Sequence, residues 1–241
     1  MNYNTMALKL ATLCLLPVLI PQAKKVKANT PRLSEPEGQR QGVEGQGKPL
    51  SILIVGDSAA AGVGVEQQQQ ALLGQLIFAL KAHYKIRFHL EAKTGRTTED
   101  LIRVIKRLPL QSFDVVISSI GVNDVTRLTP PAKWLKQQKD LYSVLQNKFN
   151  PHLILVASVP PMHLFPALPQ PMAWLLGKYA KEMNQLLQAY IRTYQNFIYL
   201  DYDLEKYQTM NLTMAKDGFH PSADIYHFWA QSMAQHIQNK F

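Results

Sequence analysis

The chain of 241 residues has one cysteine, Cys14. A single thiol forms no internal disulfide and no cysteine-based metal cluster. Acidic residues are few beside basic ones, 17 against 26, which leaves a net charge of +9. That excess permits attraction to anionic surfaces. No Lys/Arg run interleaved with aromatics and no zinc-finger spacing occurs, which argues against a nucleic-acid partner. No uninterrupted apolar run reaches the ~20 residues of a membrane helix, so a polytopic membrane protein is excluded. Charged residues make up only 18% against 46% hydrophobic, which excludes a wholly disordered or fibrous chain.

Several catalytic signatures are missing as well. A G-x-S-x-G nucleophile elbow would need glycine at position 60, which is Ala60. Gly56 and Gly62 are followed by Val63 rather than lysine, so they do not form a phosphate-binding loop. Seven histidines are present without an H-E-x-x-H pair, and His227 reads as a surface or packing residue. No metal ligand set and no cofactor motif are found.

At the N-terminus, Lys9 precedes the apolar stretch Leu10–Ile20, the pattern of a signal peptide or N-terminal anchor over residues 1–23. A cut after Ala23 leaves Pro21 where a small residue is preferred, and Leu13 makes Cys14 a poor lipoprotein site. The expectation is an exported chain, periplasmic, secreted or membrane-tethered. Residues 24–49 contain SEPEGQRQGVEGQGKP, too polar to repay the entropy of ordering, and are expected to be a disordered linker. The globular unit is then 50–241, about 190 residues and one domain.

Within that unit, extended and helical patterns alternate. Leu50–Val55, Ile86–Ala92, Phe113–Ile120, Leu153–Val159 and Phe197–Asp201 read as strands. Residues 68–84, 97–108, 132–149, 174–194 and 222–238 read as helices, the last with Ser222 as N-cap. Five alternations imply α/β architecture: a three-layer α/β/α sandwich on a central, mostly parallel, five-stranded sheet. Ligands bind such sheets at the carboxyl ends of the strands.

Polar blocks follow the strands: Gly56-Asp57-Ser58, Thr94-Gly95-Arg96-Thr97, Gly121-Val122-Asn123-Asp124 and Asp217-Gly218-Phe219-His220-Pro221. Acyl transfer needs a hydroxyl nucleophile, a base and a carboxylate that fixes the base's tautomer. It also needs donors facing the developing oxyanion. Singly, each residue has a structural reading: Ser58 as N-cap, Gly95 and Asn123 as turn residues, Asp217 as a turn former. Asp57 and Asp124 read as loop braces.

The four blocks, in this order, resemble the SGNH (GDSL) hydrolase family, over nearly the whole domain. The resemblance implies a flavodoxin-like sandwich and a serine esterase working through an acyl-enzyme. It further implies Ser58 as nucleophile, His220 as base and acid, and Asp217 as its orienting carboxylate. The N–H groups of Ser58 and Gly95 and the Asn123 amide would form the oxyanion hole. Substrates would be small-molecule, lipid or glycan esters or thioesters. Carbohydrate O-deacetylation, acyl transfer to envelope glycans and a non-catalytic binding module are the competing readings.

Three further features remain open at this level. The stiff segment from Pro160 to Met172 reads equally as a substrate-facing wall or a packed loop. Arg96 and Arg127 are expected to face solvent. Gln67 to Gln70 is expected to be a solvated start to the following helix.

Overall fold

The computed structural model describes residues 3–241. Six strands form one sheet: β1 (Gln41–Glu44), β2 (Lys48–Gly56), β3 (Tyr84–Ala92), β4 (Val115–Ser119), β5 (Leu153–Ala157) and β6 (Phe197–Leu200). Their order is β1-β3-β2-β4-β5-β6, with β2 to β6 parallel and β1 antiparallel to β3. The sequence therefore undercounts the sheet by one strand. β1 is QGVE and almost wholly exposed. Backbone pairing rather than apolar burial makes it a strand, so it leaves no hydrophobic pattern to read.

The central strands are buried on both faces, which is why they read as continuous apolar runs. Along β2, Leu53 and Val55 enter one core and Ile52 and Ile54 the other. The first core packs against α4 (Thr98–Arg107), α6 (Pro131–Phe149) and α7 (Met172–Ile191). The second packs against α3 (Leu72–Leu80) and α9 (Ala223–Gln238). Shorter helices are α2 (Ser58–Ala61), α5 (Val122–Thr126) and α8 (Leu204–Thr209). This is the three-layer arrangement expected from the alternation.

The first fifty residues depart from expectation in the linker rather than in the apolar N-terminus. Helix α1 runs from Tyr3 to Asn29, and its stretch Met6–Asn29 is long and apolar enough to cross a membrane by length and composition. Such a helix is compatible with the signal peptide or anchor expected there, and Pro17 and Pro21 lie inside it. One side of α1 lies on the domain: Leu8 and Leu19 join the first core and Thr12 Oγ1 meets Tyr179 Oη at 3.1 Å. The expected disordered linker is instead an ordered strap. The Glu37 N–H donates to the Glu66 carbonyl at 2.9 Å, and the Gln68 N–H to the Glu37 carbonyl at 2.7 Å. The Leu90 N–H donates to the Arg40 carbonyl at 2.7 Å. Its polar residues find partners far away in sequence, which composition does not register. Gln68 is correspondingly buried and donates to the Ala61 carbonyl at 2.9 Å, unlike the solvated helix start expected there.

Candidate active site

β2 ends at Gly56, paired with Ala92 of β3 and Ser119 of β4. A Cβ at position 56 would sit 2.0 Å from the Ser119 carbonyl oxygen, so only glycine lets the chain turn there. The turn delivers Ser58 as the first residue of α2. Asp57, not Ser58, is the N-cap, accepting from the Ala59 N–H at 3.1 Å. The Ser58 hydroxyl is thus left for another partner: its Oγ lies 3.0 Å from His220 Nε2.

His220 is held from its other side. Its Nδ1 lies 2.5 Å from Asp217 Oδ2, while Asp217 Oδ1 accepts the backbone N–H groups of Phe219 and His220, each at 3.0 Å. One carboxylate therefore both closes the turn and orients the imidazole. That explains the D-x-x-H spacing, with Gly218 at φ +64° inside the turn. Burial pushes the Asp217 carboxyl up, but the hydrogen bonds from the His220 ring and the two backbone groups outweigh it. Its pKa falls below the ordinary aspartate value. With Asp217 ionised and accepting, the Nδ1–H tautomer is favoured and Nε2 is free to accept the Ser58 proton.

Gly95 stands on the loop after β3, and Asn123 in the first turn of α5, just after β4. The Asn123 amide donates to the Arg96 carbonyl at 3.1 Å. An amide nitrogen has two hydrogens, so this bond fixes its plane and leaves one N–H for another acceptor. Gly95 has φ +80°, and a Cβ there would meet nothing within 4 Å. The space beside its backbone is open. Asp124 braces this corner: its Oδ2 accepts the Thr98 N–H at 3.0 Å and the Thr98 hydroxyl at 2.9 Å. Burial raises its pKa, tempered by those two bonds. Asp57, more deeply buried, is pushed up to about 7 by burial, with the Ala59 and Gly121 N–H groups pulling the other way.

Arg96 does not face solvent as expected. Its Nη2 pairs with Glu91 Oε1 at 3.0 Å and its side chain is 9% exposed, so it braces the Gly95 loop. Arg127 is exposed. His227 is exposed and meets Gln75 Oε1 at 2.8 Å through Nδ1. In the Pro160–Met172 segment Met162 is fully buried, while Pro160 and Phe165 line a cavity at Ser58 and His220. That cavity encloses only about 30 Å³, bounded also by Ile120, Val159 and Phe219.

Two residues escaped the sequence reading. Glu35 Oε1 accepts the Thr94 N–H at 2.7 Å and the Thr94 hydroxyl at 2.8 Å. Glu35 Oε2 pairs with Arg40 at 2.8 Å, and Arg40 also donates to the Ala92 carbonyl. Strap and Gly95 loop are clasped together. Nothing in SEPEG distinguishes this acid from solvated neighbours. Among the described residues, no group of three or more His, Cys, Asp or Glu is arranged to hold a metal ion.

A family model for GDSL-like lipases and acylhydrolases matches residues 54–228, a span that takes in all four blocks. The chain belongs to this family. It is therefore an ester-hydrolysing enzyme of the SGNH/GDSL type. Solved structures share the fold at low identity. A lipolytic protein of the G-D-S-L family from Veillonella parvula DSM 2008 is 14% identical with a TM-score of 0.62, covering 80% of this chain and 100% of its own. Est24, a carbohydrate acetylesterase from Sinorhizobium meliloti, is 20% identical at TM-score 0.57, covering 80% and 100%. Axe2, an acetylxylan esterase from Geobacillus stearothermophilus, is 17% identical at 0.54, covering 79% and 95%. No curated protein sequence matches the chain.

Proposed function

We propose that this GDSL-family enzyme hydrolyses carboxylic esters through an acyl-enzyme on Ser58. The observation that carries the reading is the unbroken line from Ser58 Oγ to His220 Nε2 at 3.0 Å and from His220 Nδ1 to Asp217 at 2.5 Å. His220 takes the hydroxyl proton as Ser58 Oγ bonds to the ester carbonyl carbon. The carbonyl oxygen becomes an oxyanion, held by the Ser58 and Gly95 N–H groups and the free N–H of Asn123. On collapse the C–O bond to the alcohol breaks and His220 returns the proton to the leaving oxygen. Water then repeats the sequence, deprotonated by His220, and releases the carboxylic acid. Asp217 stays ionised and stabilises the imidazolium.

The tight cavity at Ser58 supports a second reading, removal of small acyl groups such as acetyl from glycans, the chemistry named for Est24 and Axe2. The position of the enzyme at or beyond the membrane, tethered or exported through α1, belongs to the same proposal. Incubation with a p-nitrophenyl phosphonate, followed by peptide mass analysis, tests the centre of it. The adduct is expected on Ser58 with stoichiometric loss of p-nitrophenyl acetate turnover. Labelling elsewhere, or none with turnover intact, overturns the assignment. A mixture of acetylated xylan and p-nitrophenyl esters then separates glycan deacetylation from simple ester hydrolysis.

A further inference from the structure

A groove of about 350 Å³ lies between α1 and the domain, within the range of ligand pockets. Leu16, Leu19 and Ala23 of α1 form one wall, and Met172, Leu175 and Leu176 of α7 form the other. Lys27 at the end of α1 is the one charged residue lining it. Phe219, the residue before His220, lines the groove as well. Phe219 also lines the cavity at Ser58, where its ring packs edge-on against Phe165 with centroids 5.1 Å apart. Phe219 thus borders both the groove and the space beside the nucleophile.

We infer that this groove holds the hydrocarbon tail of an amphiphilic ester, with α1 a retained wall of the substrate site. The inference rests on the ester-hydrolase reading above. Its occupant follows from three features together. The lining is apolar almost throughout, so it gains by covering hydrocarbon and not by covering a polar glycan. The groove adjoins the catalytic cavity, so one molecule can place its ester at Ser58 and its tail past Phe219. The third is α1 itself, whose outward residues Leu10, Leu13 and Val18 are exposed, which suits a helix resting in or against lipid, where such esters reside. Polar contacts also tie α1 to the domain: Gln22 Nε2 donates to the Gln170 carbonyl at 2.6 Å, and Thr12 Oγ1 meets Tyr179 Oη at 3.1 Å.

The test uses the full-length chain with substrates below their micelle concentrations. Ala23 and Ile20 are exposed residues of α1 that line the groove, so Ala23→Trp and Ile20→Glu alter it without disturbing the core. Each variant should lower the octanoate-to-acetate ratio of kcat/KM for p-nitrophenyl esters, or the octyl-acetate-to-ethyl-acetate ratio, about tenfold. That is the loss expected when roughly two methylenes are kept from apolar burial. A change confined to the first ratio puts the tail on the acyl side, and one confined to the second puts it on the alcohol side. Leu13→Ser, on the outward face, should leave both ratios unchanged. Fluorescence titration with dansylundecanoate reads the groove without turnover: its Kd should rise about tenfold in Ala23→Trp, by the same burial argument. Ratios and Kd unchanged within twofold in both groove variants overturn the inference. A wild-type enzyme that binds dansylundecanoate but hydrolyses no ester would instead overturn the hydrolase reading and leave the groove standing.

Discussion

Glu35 reaches from the N-terminal strap to the loop after β3 and accepts two hydrogen bonds from Thr94, at 2.7 Å from its N–H and 2.8 Å from its hydroxyl. Thr94 is the neighbour of Gly95, whose N–H is assigned to the oxyanion. Burial raises the Glu35 pKa, but the Thr94 bonds and the Arg40 guanidinium overcome this and hold it below the usual glutamate value. An ionised, anchored Glu35 therefore fixes the loop at neutral pH.

Removing that clasp should act on catalysis more than on folding. Glu35→Ala frees both Thr94 donors, so Gly95 is expected to wander and kcat to fall about tenfold, with KM nearly unchanged, as for a donor lost only from the transition state. Glu35→Gln keeps an acceptor for Thr94 and should recover most of the loss. Equal damage from both variants, or a change in KM alone, would place Glu35 outside the catalytic geometry.

The Ser58–His220–Asp217 line gives a graded pair. Ser58→Ala should reduce kcat by on the order of 10³ or more while far-UV circular dichroism stays unchanged, since only an oxygen is removed. Asp217→Asn should cost up to ~10⁴ in kcat, because an amide can donate to Nδ1 and stabilise the wrong tautomer. Retention of most turnover by either variant would contradict the roles assigned.

How much of this was legible in the sequence depends on the range of the interaction. Ser58, Gly95 and Asn123 each sit just after an apolar run, so the parallel-sheet rule gathers them at one edge from local pattern alone, while the His220 block follows the last strand some way on. The Asp217 turn was equally local. The strap was not legible: Glu35 meets Thr94 across a long stretch of chain, and β1 pairs through backbone atoms that every residue has. Arg96 illustrates the same limit, since its partner Glu91 lies on the preceding strand and its burial comes from tertiary packing. Composition saw only polar residues in each case.

Asp57 yields a prediction of pH dependence. Its pKa is raised to about 7 by burial, well above the aspartate value of 3.8. The folded state therefore binds a proton more tightly than the unfolded state does. Stability is penalised above pH 7 and the penalty is relieved as pH falls from 7 towards 4. Asp57→Asn removes the charge and keeps an acceptor for Ala59, so its Tm advantage over the wild type should be larger at pH 8 than at pH 5. An advantage independent of pH would mean that Asp57 does not titrate in this window.

Asn123 offers the sharpest test of the oxyanion assignment. One of its amide hydrogens is already given to the Arg96 carbonyl at 3.1 Å, which orients the side chain before substrate arrives. A preorganised donor bonds more strongly to the tetrahedral oxyanion than to the ground-state carbonyl, so its removal should fall on kcat rather than KM. Asn123→Ala is expected to cut kcat by ~10²–10³, the usual cost of one such donor. Asp124→Asn removes the charge that accepts the Thr98 N–H and hydroxyl, away from the oxyanion, and should cost less in kcat and more in Tm. Asn123→Asp supplies the discriminating control, because it keeps the size of the side chain but presents oxygen where a donor is needed. It should be at least as damaging as alanine, since like charges would face each other in the transition state. If Asn123→Asp instead retains wild-type kcat, or if Asn123→Ala raises KM at constant kcat, Asn123 serves the turn or the substrate and not the oxyanion.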